Sequence, residues 1–259
     1  MSFTFKKKYG QNFLTDENIV KKIIPSNIKE NNLVIEIGCG SGNLTKYLCQ
    51  NFNKVIGYEI DNEVNDLLLN NLKDYENVTI YFDDFLKRDI KKDLEKENYK
   101  SLYIIANLPY YITTPILEKI IELNLDIELI RVMVQKEVGD RFSAQPGSKD
   151  YGSITVYFNY NYDVKKEFIV SKNSFYPKPN VDSMVVSFIK KEKLYVKDET
   201  NFYKLIRDSF QFKRKTLRNN LKDYDLGKIE KVLKKYNFDL NVRAEQLSTS
   251  VFIEIANTL

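Results

Sequence analysis

The sequence predicts one α/β sheet of seven strands, built in the doubly wound manner, followed by a small basic helical region. Three observations predict it. Short apolar runs alternate with helical patterns through the first 190 residues. The first of these runs feeds a glycine loop, Gly38-Cys39-Gly40-Ser41-Gly42, which opens a helical pattern. Beyond Lys190-Lys191-Glu192-Lys193 the composition shifts: residues 201–259 carry 12 Lys/Arg against 7 Asp/Glu, so a basic end follows a near-neutral body. Domains are therefore expected at 1–190 and 191–259.

In chain order, Thr15 is read as the N-cap of a helix from Asp16 to Ile24 that stops at Pro25. Leu33–Ile37 is a buried strand, and Asn43–Gln50 is the helix beyond the glycine loop. Glycines let a ligand approach the backbone, and the helix N-terminus adds positive potential. Lys54–Glu59 is a second strand whose last residue is a carboxylate 21 residues beyond Gly38, suited to a pair of ribose hydroxyls. Val64, Leu67, Leu68 and Leu72 recur at helical spacing and are read as core. Val78–Phe82 is a third strand, and it runs into Asp83-Asp84, either of which suits an adenine amine.

Leu102–Ala106 is a fourth buried strand, and it delivers Asn107-Leu108-Pro109-Tyr110. Pro109 lacks an N–H, so the ladder stops there, and it pushes Leu108 toward an extended conformation. An amide oxygen and a backbone carbonyl can together accept both hydrogens of a planar amine, and a tyrosine face can stack on a base. Thr114-Pro115 is read as N-cap and first helical residue of a helix to about Leu123. Leu129–Val134 is the fifth strand, with a helix near Val138–Ala144 after it. Pro146–Gly152 is a loop carrying Lys149. Val164–Val170 and Met184–Ile189 are two late strands, making an edge hairpin on an otherwise parallel sheet. Between them, Phe175-Tyr176-Pro177-Lys178-Pro179 is a proline-braced loop presenting aromatics. Helical stripes follow at Phe202–Phe210 and Val251–Ala256. Between these, five basic residues against one acid within Arg207–Arg218 favour contact with nucleic-acid phosphates.

Composition excludes several chemistries. The chain contains no histidine, which removes Ser-His and Cys-His nucleophile pairs and the usual zinc sites. Two cysteines form no disulfide framework. The start, Met1 to Lys8, lacks an apolar signal region, and no apolar run approaches a membrane span, so a cytoplasmic protein is expected.

Taken together, the motifs resemble the ribosomal RNA adenine N6-dimethyltransferases, over nearly the whole chain. The resemblance rests on Gln-Asn-Phe-Leu (11–14), Glu-Ile-Gly-x-Gly-x-Gly (36–42), Glu-x-Asp (59–61), Asn-Leu-Pro-Tyr (107–110) and Gln-Lys-Glu-Val (135–138). It extends through Pro-Gly-Ser-Lys-x-Tyr-Gly (146–152), Phe-x-Pro-x-Pro-x-Val-Asp-Ser (175–183), Arg-Lys-Thr-Leu-Arg-Asn-Asn-Leu (214–221) and Arg-Ala-Glu-x-Leu-Ser (243–248). It is closest to the KsgA-type branch that acts on small-subunit rRNA. The resemblance implies a Rossmann-like class I methyltransferase sheet and S-adenosylmethionine as cofactor. That cofactor would be held by Asn12, Leu14, Gly38, Gly40, Gly42, Glu59, Asp84 and Asn107, with Asp84 preferred to Asp83. It also implies two adjacent adenines near the 3′ end of 16S rRNA as target, in an immature 30S subunit, with the protein acting as a monomer without a metal.

In that reading Asn107 and the Leu108 carbonyl orient the target amine, Pro109 holds the shape and Tyr110 stacks on the base. Phe175 closes the base's other face, and Lys149, Lys213, Arg214, Lys215 and Arg218 contact RNA. Three alternatives stay open: a related 23S rRNA methyltransferase, a DNA adenine methyltransferase, and an RNA-binding assembly factor.

Overall fold

The computed structural model describes residues 12–259; Gln11 and the basic start from Met1 to Lys8 lie outside the described residues. Two compact units form. One takes the described residues up to Gly139 together with Lys165–Lys190, and the other takes Asp140–Val164 together with Lys191–Leu259. Residues 140–164 thus group with the helical unit, which the expected division at Lys190 did not include.

The chain runs through β1 (Phe13–Leu14), α1 (Glu17–Ile23), β2 (Asn32–Ile37), α2 (Asn43–Asn51), β3 (Lys54–Tyr58), α3 (Asn65–Leu72) and β4 (Val78–Tyr81). It continues through α4 (Ile90–Leu94), β5 (Ser101–Asn107), α5 (Thr113–Glu122), β6 (Ile127–Gln135), α6 (Lys136–Phe142) and α7 (Ser153–Asn161). β7 (Tyr162–Val170), β8 (Phe175–Tyr176), β9 (Ser183–Lys190), α8 (Glu199–Ser209), α9 (Leu217–Asn220), α10 (Leu226–Lys235) and α11 (Thr249–Thr258) complete it.

The seven-stranded sheet has the order β4-β3-β2-β5-β6-β9-β7. β2, β3, β4, β5 and β6 pair in parallel, and β9 runs antiparallel to β6. β7 and β9 are neighbours at that edge, as the expected hairpin requires. Strand order reverses between β2 and β5, so the carboxyl ends of these two strands open a crevice, the place where such sheets bind ligands. β2 is buried at every position, with Val34 continuing into a core with Leu44, Leu48, Tyr103, Ile105 and Met133.

Local chemistry moves several boundaries. Asp16, not Thr15, caps α1: its carboxylate accepts from the Asn18 N–H at 3.0 Å. Thr15 instead donates from both its N–H and its hydroxyl to the Ser174 carbonyl, at 2.9 and 3.0 Å. α5 starts two residues early, at Thr113, whose buried hydroxyl donates to the Pro109 carbonyl at 3.0 Å and ties the helix to the elbow. Pro115 sits inside the first turn, where its missing N–H would have had no partner. Leu67 departs from the expected core stripe: Val64, Leu68 and Leu72 are buried, while Leu67 faces outward.

In the second unit, Tyr151, Val156 and Tyr160 pack with Phe202, Leu205 and Ile206 of α8, Ile229 and Leu233 of α10, and Val251, Phe252 and Ile255 of α11. α7 received no element from the sequence. Its residues are largely β-branched or aromatic, and six of nine are buried, so no polar face marks a helical period. Among the described residues no helix is long and apolar enough to cross a membrane.

Candidate active site at the carboxyl edge of the sheet

Four strand ends supply the first unit's pocket. Its lining includes Asn12 and Leu14 from the segment entering β1, the loop Gly38–Ser41, Glu59 after β3, and Asn107 to Tyr111 after β5. Gly38 has φ +79° and donates its N–H to the Tyr58 carbonyl at 2.8 Å. A Cβ placed on it would stand 3.7 Å from Pro109 Cδ and 3.8 Å from the Asn107 carbonyl oxygen, so the loop and the elbow form one wall.

At Gly40 the approach is closer. Its φ is +54°, and a Cβ there would lie 2.5 Å from Cε1 of the Phe13 ring. An Ala would combine left-handed strain of roughly 1–2 kcal/mol with displacement of the 12–14 segment. Gly40→Ala is accordingly expected to weaken ligand binding in this pocket by at least about tenfold, measured by calorimetric titration with S-adenosylmethionine.

Segment 12–14 is strapped down from three sides. The Asn107 carboxamide nitrogen donates to the Asn12 carbonyl at 3.2 Å, and the Asn43 carboxamide donates to the Leu14 carbonyl at 3.0 Å. β1 pairs antiparallel with β8, setting Leu14 opposite Phe175. This pairing overturns one expectation. Phe175 is 4% exposed and belongs to the core with Leu14, Ile23 and Val170, so it presents no face to a ligand. A two-residue strand whose partner is 161 residues away has no local signature, and Phe175 reads as a loop aromatic until that pairing turns it inward.

Pro109 is extended, at φ −60° and ψ 129°. The Leu108 N–H donates to the Met133 carbonyl at 3.1 Å, while the Leu108 carbonyl accepts nothing among the described residues. Because the nitrogen of Asn107 is committed to Asn12, its oxygen is the atom left to accept. Tyr110 shares a 2.6 Å hydrogen bond with the wholly buried Ser183 at the start of β9, which fixes its ring. Burial raises the Tyr110 phenol above its ordinary value, so it stays protonated in the working range.

The carboxylates divide by partner. Glu59 is buried, with its two oxygens accepting from the Gly40 and Asp61 N–H groups at 2.7 and 2.8 Å; burial raises its pKa and these bonds oppose the rise. One acceptor site per oxygen remains for a diol. Asp83 is engaged by the Arg88 guanidinium at 3.0 Å, which holds its carboxyl below the ordinary range. Arg88 also grips the buried Asp93 through two bonds of 2.6 and 2.9 Å and lies over the Tyr81 ring. Asp84 therefore retains the less committed carboxylate, accepting from the Leu86 N–H at 2.9 Å with Lys87 at 3.7 Å. Asp84 itself stands outside the pocket's lining.

Glu36 was not singled out from the sequence, yet it lines the pocket. It is 1% exposed, and its Oε2 has no hydrogen-bond partner. Burial, the largest cause, pushes its pKa up to about 8, with Glu59 adding to the rise and Thr45 opposing it. A signal existed: a lone carboxylate in the apolar run Leu33-Val34-Ile35-Glu36-Ile37 must be matched, held protonated or waiting for a cation. Among the described residues no group of three His, Cys, Asp or Glu is placed to hold a metal ion.

The five residues expected at RNA lie in the second unit. Lys149, Lys213, Arg214, Lys215 and Arg218 are all exposed, and none forms an ion pair with a described residue. Lys213 and Lys149 are brought together, the Lys213 ammonium donating to the Lys149 carbonyl at 2.9 Å.

The family described as "Ribosomal RNA adenine dimethylase" matches residues 2–259. The chain is 44% identical to "Ribosomal RNA small subunit methyltransferase A" of Streptococcus gordonii, over 99% of this chain and 92% of that one. It is 42% identical to the protein of the same name from Streptococcus pyogenes serotype M1, with the same coverage. Among solved structures it is similar to a dimethyladenosine transferase from Plasmodium falciparum, with a TM-score of 0.75 and 28% identity over 93% of this chain and 95% of that one. It shares its fold with the 23S rRNA methyltransferase ErmE, at TM-score 0.71 and 20% identity over 96% and 99%.

Proposed function

Since the chain belongs to the ribosomal RNA adenine dimethylase family, we propose that it transfers methyl groups from S-adenosylmethionine to N6 of two adjacent adenines near the 3′ end of 16S rRNA. It does so as a cytoplasmic monomer, without a metal ion, on an immature 30S subunit. The observation that supports this most is the elbow: an unengaged amide oxygen and an unengaged carbonyl, side by side at the rim of a glycine-lined pocket.

The residues present fit the cofactor. Two acids in one pocket suit a ligand with cationic groups, and the unpartnered Oε2 of buried Glu36 is an acceptor for an ammonium. Glu59 takes the ribose hydroxyls, and Asp84 takes the adenine amine while Arg88 occupies Asp83. Asn12, Leu14 and the Gly38–Gly42 loop close around the ligand. When bound, the cofactor supplies a methyl group made electrophilic by a cationic sulfur.

The chain's own residues then work on the target adenine. Its amine lone pair is delocalised into the ring, and accepting both N–H groups at Asn107 Oδ1 and the Leu108 carbonyl favours a pyramidal, nucleophilic nitrogen. Tyr110, its hydroxyl held by Ser183, offers its ring to the base. The adenine must leave any stack to arrive there, at a cost of a few kcal/mol. The proton lost on alkylation passes to water or a carbonyl, so the protein contributes chiefly proximity and orientation.

The test measures methyl incorporation into immature 30S particles, naked 16S rRNA and 23S rRNA, followed by the mass of the modified fragment. A gain of two methyl groups on each of two adjacent adenines of 16S rRNA is expected. Incorporation confined to 23S rRNA would overturn the assignment.

A further inference from the structure

A second polar recess lies wholly within the helical unit, away from the residues given a catalytic role. Three cations line it, Arg141, Lys149 and Lys213, against one carboxylate, Asp150, and the start of α7 at Gly152 and Ser153 completes the wall. The Arg141 guanidinium lies at the N-terminus of α7: a Cβ on Gly152 would stand 3.6 Å from its Nη2. Arg141 forms no ion pair with a described residue. Gly152 has no side chain to cap the helix, and the N–H groups of Ser153 and Ile154 find no acceptor among the described residues. Tyr151, 2% exposed, also lines the recess, and its hydroxyl has no hydrogen-bond partner. Lys213 is pinned toward this point by its bond to the Lys149 carbonyl.

Arranged like this, the charges repel. A guanidinium and two ammonium groups converge on the positive end of a nine-residue helix, with a single acid among them. Such an arrangement becomes favourable when an anion accepts from all of them at once. A phosphate oxygen pair fits best, because a planar guanidinium can grip it bidentately while backbone N–H groups and an ammonium take what remains. Phe212 adds the reason for a polymer over free phosphate. It is 57% exposed on the chain next to Lys213, and its loop is held by Asn220, whose carboxamide donates to the Ser209 carbonyl at 2.6 Å. An exposed aromatic beside a phosphate site is a platform for the neighbouring base.

We propose that Arg141, Lys149, Lys213 and the N-terminus of α7 form a seat for one backbone phosphodiester of RNA. The proposal deepens the reading that the substrate is RNA, and rests on it. Full-length wild type, Arg141→Ala, Arg141→Lys and Lys213→Ala are compared by anisotropy with a labelled single-stranded RNA of arbitrary sequence across a range of KCl concentrations, with inorganic phosphate as a second probe.

Arg141→Ala is expected to lower RNA affinity about tenfold and to flatten the salt slope by about 1, with Arg141→Lys restoring the slope but only part of the affinity. Lys213→Ala, at an exposed position, should flatten the slope in the same way, and all variants should bind S-adenosylmethionine as wild type does. Unchanged affinity and slope in normally melting Arg141→Ala and Lys213→Ala would overturn the proposal. It would equally be overturned if inorganic phosphate raised the melting temperature in an Arg141-dependent way while RNA binding did not respond to the substitutions. Loss of the slope contact in a protein that fails to methylate 16S rRNA would support the seat and count against the proposed activity instead.

Discussion

Asn107→Ala is expected to reduce the rate of methyl transfer by about two to three orders of magnitude, the scale seen when one preorganised polar group is removed from a reacting centre. The carboxamide nitrogen is engaged by the Asn12 carbonyl, which leaves the oxygen as half of the two-acceptor grip on the target amine. Ala removes that acceptor and unties Asn12, but it leaves Pro109 extended and the Leu108 N–H on the Met133 carbonyl. The effect should therefore fall on kcat, with S-adenosylmethionine affinity changing by less than about tenfold. Single-turnover transfer to immature 30S particles, paired with calorimetric titration of the cofactor, separates the two. Full cofactor binding with wild-type transfer would sink the role assigned to this residue.

Glu36→Gln is expected to act in two opposite directions. In the ligand-free protein, burial pushes this carboxyl up to about 8 from an ordinary value of 4.5. The sign follows from proton linkage. Folding favours the protonated form, so the contribution is complete below about pH 4.5 and is lost as pH rises through about 8, where a buried anion must be carried. The change across that window is on the order of 3–5 kcal/mol. Gln removes the ionisation, so the ligand-free variant should gain melting temperature relative to wild type as pH rises from 5 to 8, with the difference closing at the acid end.

In the presence of S-adenosylmethionine the variant's advantage at the alkaline end should narrow. A charge-assisted bond to an ammonium contributes roughly 1.5–3 kcal/mol, so the variant should bind about ten- to a hundredfold more weakly. Melting curves with and without cofactor across this pH range check both halves. A wild type whose melting temperature tracks the variant at every pH would remove the basis for an unmatched buried acid.

Much of the sheet could be read directly because its strands are short, largely apolar and separated by turn chemistry. Lys54-Val55-Ile56-Gly57-Tyr58 and Leu102–Ala106 needed no tertiary information. The polar residues that end those strands were equally plain, since Glu59 and Asn107 interrupt apolar runs at the points where a parallel sheet exposes its carboxyl edge. α7 was not legible: its buried sides leave no period to detect. Thr15 and Thr114 did not take their expected capping duties, because Thr15's hydroxyl finds a distant acceptor and α5 already begins at Thr113, whose hydroxyl finds another. Here the Ser174 carbonyl lies near Thr15 and the Pro109 carbonyl near Thr113.

By itself, then, the sequence determined the seven strands of the main sheet, the glycine loop, the proline elbow and which acids end which strands. Each of these is specified by neighbours a few residues away. The tertiary structure alone decided that Phe175 turns inward against Leu14, that Arg88 takes Asp83 and leaves Asp84, and that Glu36 lines the pocket with its Oε2 unpartnered. It also brought Arg141 to the start of α7 beside Lys149 and Lys213. Those outcomes depend on which distant backbone carbonyl, ring or charge arrives alongside, and a residue's type constrains what it can accept without specifying what it will meet.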